Sequence, residues 1–285
     1  MITLVRRITA VWVVSAALAA CGTPAQAPRA PRASPSAAPS RPASIPSRPP
    51  SLAPGPAGLT PVFTHGPRTR GRAVALTFDA DMTAGQGARA AAGERFDNPG
   101  LIATLRKLKV PATVFITGRW AEEYPAQARS IGRDPLFEVA NHSYSHYAFT
   151  RDCYGLPTLP RNRMRADVER AYAAFRKVGL RHPMPYFRFP GGCHDRRALK
   201  ALAPTGVTAV QWDVVSGDAF ATDADAVARQ VLRGVRPGSV VVLHCTRSAA
   251  PATERAVRTI VPELRRKGFR FVKVSGLIGA AGARR

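Results

Sequence analysis

From residue 70 onward, short runs of apolar and β-branched residues alternate with segments of helical periodicity, and this alternation is what most narrows the folds open to the chain. The strand-like runs are 73–79, 112–117, 137–141, 186–189, 208–215, 239–244 and 269–274; the helical patterns are 101–108, 121–131, 163–178, 195–202, 224–235 and 254–267. Strand and helix in turn, joined by short connections, require parallel pairing through right-handed crossovers. Seven such units predict an α/β barrel rather than an open sheet. In barrels of this kind chemistry gathers at the carboxyl ends of the strands.

Polar residues stand at those ends. The first run closes in Thr77-Phe78-Asp79-Ala80-Asp81, two carboxylates one residue apart, which strand periodicity points to one side. A lone aspartate there would read as a turn former or helix cap. The third run leads into Asn141-His142-Ser143-Tyr144-Ser145-His146. Histidines four apart fall on one helical face, where neutral imidazoles can share a divalent metal. The fourth run carries Arg188-Phe189-Pro190-Gly191-Gly192, the fifth Trp212-Asp213, and the sixth ends in Leu243-His244. Each is bland alone; together they place acids, a base and an arginine at the same end of successive strands.

This ordered set resembles the polysaccharide deacetylase family, also called the NodB-homology or carbohydrate esterase family four domain, over about residues 70–280. The resemblance implies a distorted (β/α)7 barrel and metal-dependent hydrolysis of N-acetyl groups on an amino-sugar polymer. It implies Asp79 as general base, Asp81, His142 and His146 as metal ligands, His244 as general acid, and Arg188 as the residue that orients and tunes Asp79. Pro190, Gly191, Gly192 and Trp212 would contact substrate, and the ion would be Zn2+, with Co2+ as the alternative. The sequence departs from the family pattern twice. Ala80 stands where a second aspartate normally follows the first, and Val215 and Ala219 stand at the first aspartate and the tryptophan of an Asp-x-x-Asp-Trp pattern. Asp213 shares a strand face with Val215 and is expected to partner His244, with Asp218 as the alternative. The substrate expected is peptidoglycan N-acetylglucosamine or N-acetylmuramic acid. The competing readings are an O-deacetylase of another polysaccharide and an inactive wall-binding homologue.

The first seventy residues place such a domain. Residues 1–21 carry Arg6 and Arg7, an apolar run and Leu18-Ala19-Ala20-Cys21, which resembles the bacterial lipobox and predicts a signal peptide with lipidation at Cys21. Residues 22–70 are rich in Pro, Ala and Ser with no acidic residue, so they are expected to be a disordered tether reaching about 40 Å as a coil. Residues 71–285 are the expected catalytic domain, held by its lipid anchor at the outer face of the cytoplasmic membrane and extending into the wall. Net charge is +24, and the eight arginines of the first seventy residues leave +16 on the rest. Export makes an anionic envelope polymer the expected partner rather than nucleic acid. The expected state is a monomer.

The chain has four cysteines. With Cys21 lipidated, one pair and one free thiol is the simplest arithmetic in an oxidising compartment, although spacing alone does not choose the pair. Cys153 and Cys193 lie on loops after the strands bearing the proposed metal and arginine sites, so they are expected to pair, leaving Cys245 free.

Overall fold

The computed structural model describes residues 48–282. Nine strands form one sheet: β1 (Val62–Phe63), β2 (Ala73–Ala80), β3 (Ala112–Ile116), β4 (Phe137–Asn141), β5 (Tyr186–Phe187), β6 (Thr208–Val210), β7 (Val214–Val215), β8 (Ser239–His244) and β9 (Arg270–Phe271). The helices are α1 (Gly87–Ala91), α2 (Pro99–Lys107), α3 (Gly118–Glu123), α4 (Pro125–Gly132), α5 (Arg161–Lys177), α6 (Arg196–Leu202), α7 (Ala224–Gly234), α8 (Thr253–Arg266) and α9 (Val274–Gly282). The strand order is β1-β6-β5-β4-β3-β2-β8-β7, with β9 on β2, and every ladder is parallel. Strands β6 and β7 lie toward opposite margins of that order yet are only three residues apart in the chain, so the sheet must curl. An antiparallel bridge between His65 and Ser239 crosses the same gap. The result is a curled, barrel-like parallel sheet.

Strand β2 is buried along its whole length, as a near-continuous apolar run at the centre of a parallel sheet must be. Its side chains alternate between two cores. Val74, Leu76, Phe78 and Ala80 face outward into the larger cluster with helix residues Leu101, Leu105, Trp120, Ile131, Ile260 and Leu264. Ala73 and Ala75 face inward with Phe115, Ala140, Tyr186, Val210 and Val240, and α9 closes this interior with Val274, Leu277 and Ile278. The backbone N–H groups of Val274 and Ser275 at the start of α9 donate to Thr113 Oγ1 (2.9 Å) and Glu138 Oε1 (3.0 Å), which satisfies two of the free donors where that helix enters the interior. Asn98, Asp195 and Asp223 cap α2, α6 and α7.

Several boundaries differ from the sequence expectation. The run 208–215 is two strands because β6 pairs with β5 and β1 while β7 pairs with β8, and Gln211, Trp212 and Asp213 carry the chain between them. The helix expected at 121–131 is two, since Pro125 cannot continue α3 and instead opens α4. The last expected strand is shortened to Arg270–Phe271. The tether expected to run to residue 70 ends earlier. From residue 50 the chain docks on the domain, with Pro50 O accepting from the Tyr186 hydroxyl (2.6 Å), Leu52 N–H donating to Thr208 Oγ1 (3.2 Å), and Phe63 buried beside β6. A segment without periodicity of its own is ordered here by a surface built from residues far along the chain. Cys21 and the rest of the expected signal peptide and tether through residue 47 lie outside the described residues.

Candidate metal centre and active site

The inward face of the curled sheet sets the site. The parity that points Ala75, Ala140, Tyr186, Val210 and Val240 inward continues, at the carboxyl ends of the same strands, to Asp79, His142, Arg188, Trp212 and His244. Asp79 and His244 are register partners on β2 and β8.

Asp81, His142 and His146 offer ligand atoms that all lie within 4.8 Å of one another. The histidines do not meet on a helix, as their spacing suggested. Residues 142–146 form a loop in which Ser143 and His146 take left-handed backbone (φ 69° and 56°) and fold the rings to a centroid separation of 5.0 Å. The loop is braced from two sides. Asn141 Oδ1 accepts from Ser143 N–H, and the buried Asp167 of α5 accepts from the backbone N–H groups of Tyr144 and Ser145. His142 Nδ1 lies 2.9 Å from the carbonyl oxygen of Arg188. A carbonyl only accepts, so Nδ1 carries a proton and Nε2 is the ring nitrogen left to face a metal. Burial pushes the His146 imidazole down to about 4, with Asp81 opposing that shift only in part, so this ring is neutral near pH 7 as a ligand must be. Asp81 Oδ1 accepts from the Thr246 hydroxyl (2.8 Å), while Oδ2 stands 3.7 Å from His146 Nε2. One carboxylate and two imidazoles, one of fixed tautomer and one kept neutral by burial, suit a divalent ion of the zinc type and leave room for further ligands. Ala80 is fully buried in the outer core, so in this chain the second carboxylate on the inward side is Asp81.

Asp79 is engaged elsewhere. Its Oδ1 accepts from Arg188 Nη1 at 2.7 Å, and its Oδ2 lies 3.7 Å from His142 Nε2. Burial raises its pKa, but Arg188, His142 and His244 together outweigh burial and hold the carboxyl below its ordinary value. Arg188 is fully buried, donates through Nε to Val210 O (3.2 Å), and lies 4.0 Å over the Phe115 ring. Its position is therefore over-determined.

The carboxylate on His244 is Asp218, not Asp213. His244 Nδ1 lies 2.8 Å from Asp218 Oδ1, and the His244 backbone N–H donates to Oδ2 at 2.7 Å. Asp213 instead accepts from Arg68 Nη2 (2.7 Å), Ser239 Oγ (2.8 Å) and Val240 N–H (2.7 Å) at the start of β8, about 16 Å along the strand from His244. Strand alternation does not carry from Val215 back to Asp213, because the strand breaks at 211–213. Burial lowers the pKa of His244, but Asp218 above all, with Asp81 and Asp79, pushes it up to about 9. Asp218 resists burial through His244 and the Thr253 hydroxyl and stays below its ordinary value.

The turn Pro190–Gly192 follows Arg188, with Gly191 and Gly192 both left-handed (φ 63° and 74°). A methyl group on Gly191 would stand 2.6 Å from Cys153 Sγ, and one on Gly192 would stand 2.4 Å from Trp212 Cη2, so both positions are closed to other residues. Trp212 is partly exposed, with the Arg188 guanidinium 5.4 Å from its ring centroid. Cys153 and Cys193 form a disulfide that joins the segment after the histidine loop to this turn, as expected, and Cys245 is a buried free thiol.

The family profile of the polysaccharide deacetylases matches residues 66–210, a span that contains both aspartates, both histidines and Arg188. The chain belongs to the polysaccharide deacetylase family. A chitooligosaccharide deacetylase of Bradyrhizobium sp. (strain ANU 289) is 28% identical over 188 residues, covering 61% of this chain and 81% of that protein. A peptidoglycan-N-acetylglucosamine deacetylase of Bacillus cereus is 25% identical over 182 residues, covering 63% and 81%. Among solved structures, a family 4 pseudoenzyme of Bacillus anthracis shares the fold at a TM-score of 0.63 with 23% identity, over 80% of this chain and 70% of that one. That likeness establishes the fold alone. This polysaccharide deacetylase is distinguished by its side chains, and two of them, Asp218 and His244, lie beyond the profile match.

Proposed function

We propose that this chain is an exported hydrolase that removes N-acetyl groups from an amino-sugar polymer of the cell wall, with Zn2+ held by Asp81, His142 and His146. One observation carries the reading. At one end of one sheet face, a cation-ready triad converges with a carboxylate kept ionised by Arg188 and an imidazole kept protonated by Asp218.

An amide resists hydrolysis twice over, because its carbonyl is a weak electrophile and its amine is too basic to depart unprotonated. The bound ion would polarise the acetyl carbonyl and acidify a water molecule. Asp79, ionised at neutral pH, accepts the proton of the attacking water. His244 keeps Nδ1–H on Asp218 and donates from Nε2 to the departing amine, and its raised pKa keeps it charged up to about pH 9. Base and acid thus hold opposite proton states at one pH because Arg188 and Asp218 push them in opposite directions.

The relatives named for chitooligosaccharides and for peptidoglycan N-acetylglucosamine support an N-acetylglucosamine-containing glycan as substrate. The basic domain suits an anionic wall polymer. Cys21 would anchor the chain to the outer face of the cytoplasmic membrane, and Cys21→Ser should leave the membrane fraction empty of processed protein. Incubating the Zn2+-loaded protein with peptidoglycan, chitin oligomers and O-acetylated xylan tests the activity. Acetate matched by an equal yield of free amines on the first two supports the reading; release only from the ester rejects it.

A further inference from the structure

Among the described residues, Tyr154 and Phe220 are the most exposed large hydrophobic side chains, at 86% and 82%. Both stand in tight turns with left-handed backbone. Tyr154 (φ 49°) and Gly155 (φ 72°) are the central pair of a turn closed by Leu156 N–H donating to Cys153 O at 2.9 Å. Phe220 (φ 61°) is third in the turn closed by Ala221 N–H donating to Asp218 O at 3.1 Å. Such positions ordinarily take Gly or Asn, and a bulky aromatic there is strained. Core burial offers nothing in return at these exposures, and strain of this kind collects where a site needs it.

Both turns adjoin residues of the site. Tyr154 is fixed by the disulfide at Cys153 and lies on the Pro190–Gly192 turn, its Cδ2 only 3.2 Å from where a methyl on Gly191 would be. With Trp212 against Gly192, the two glycines seat an aromatic ring on each side of the turn that follows Arg188. Phe220 follows Asp218, the partner of His244, by two residues, and its N–H is held by Ala249 O at 2.6 Å. In the strand order, β5, which leads to Arg188, and β7, which leads to Phe220, lie on opposite sides of β2 with its aspartates.

We propose that Tyr154 and Phe220 are glycan-stacking side chains on two separate turns beside the catalytic residues, so that the glycan is gripped at sugar rings beyond the acetylated one. This rests on the glycan reading above and adds to it the two residues that would hold the polymer at rings away from the acetyl group. The apolar faces of pyranose rings stack on aromatic rings, and two presented platforms match a ligand longer than one sugar.

Glycine is the substitution that tests this, because it relieves the left-handed backbone and should hold or raise Tm. Depletion binding to chitin beads and to purified peptidoglycan is measured for the full chain and for Tyr154→Gly and Phe220→Gly. Each variant should bind about three- to tenfold more weakly, and KM for the polymer should rise more than kcat falls. Polymer binding by both variants equal to that of the unaltered chain overturns the proposal, as does a lowered Tm, which would make the rings structural. Failure of the unaltered chain to bind either polymer also overturns it. Binding that depends on both rings but yields no acetate supports it while rejecting the deacetylase reading.

Discussion

Asp79 and His244 are register partners on the adjacent parallel strands β2 and β8, and both project from the inward face of the sheet. A carboxylate and an imidazole so placed favour each other's charged forms. Here each has a private partner, a guanidinium for the aspartate and a carboxylate for the histidine, and the partners drive the two pKa values apart.

The first consequence is a pH profile. With His244 as the proposed proton donor, turnover should persist below its pKa and be lost as pH rises through about 9. Replacing Asp218 with Asn removes the main cause of the raised value and should carry the alkaline limb of kcat down toward the ordinary histidine value of 6.5. An alkaline limb that stays in place in Asp218→Asn contradicts the assignment.

The Arg188–Asp79 pair is buried on both sides, with side-chain exposures of 0% and 6%. Removing one partner leaves an uncompensated buried charge, and Arg188→Met or Asp79→Asn should each lose about 3–5 kcal/mol of stability. The double variant should recover much of that loss and none of the activity. Denaturant unfolding of the three proteins, with acetate release measured alongside, checks both halves.

The disulfide closes a sequence separation of 40 residues between the segment after the histidine loop and the turn after Arg188. Loop entropy alone gives it about 4 kcal/mol. Cys153→Ser with Cys193→Ser should unfold at correspondingly lower urea, and its KM should rise because Gly191 packs directly on Cys153. Unfolding at the same midpoint as the parent would show that the bridge is dispensable.

Much of this architecture is legible in the residues themselves. β2 is a run too apolar to be anything but a central strand, and Asp79 and Asp81 follow from its alternation. The histidine pair was visible, but its means of convergence was not, since the loop depends on left-handed Ser143 and His146 and on Asp167, 22 and 23 residues away. Alternation points Asp213 toward His244 only if it runs unbroken across 211–213, and there the chain changes neighbours between β6 and β7. Thr246, which orients Asp81 from 165 residues away, carries no local signal. The β2–β8 register exposes it, because Asp79 pairs with His244 and both residues lie two positions further on.

Two aspartates one residue apart divide the labour in the proposed mechanism, and Zn2+ affinity measured by titration calorimetry on Asp81→Ala and Asp79→Asn, with acetate release followed at saturating Zn2+, tests that division. Asp81→Ala should bind Zn2+ far more weakly than the unaltered chain. Asp79→Asn should bind it normally yet release acetate at least about a hundredfold more slowly at saturation. Loss of Zn2+ by Asp79→Asn with retention by Asp81→Ala would exchange the two roles and contradict the mechanism.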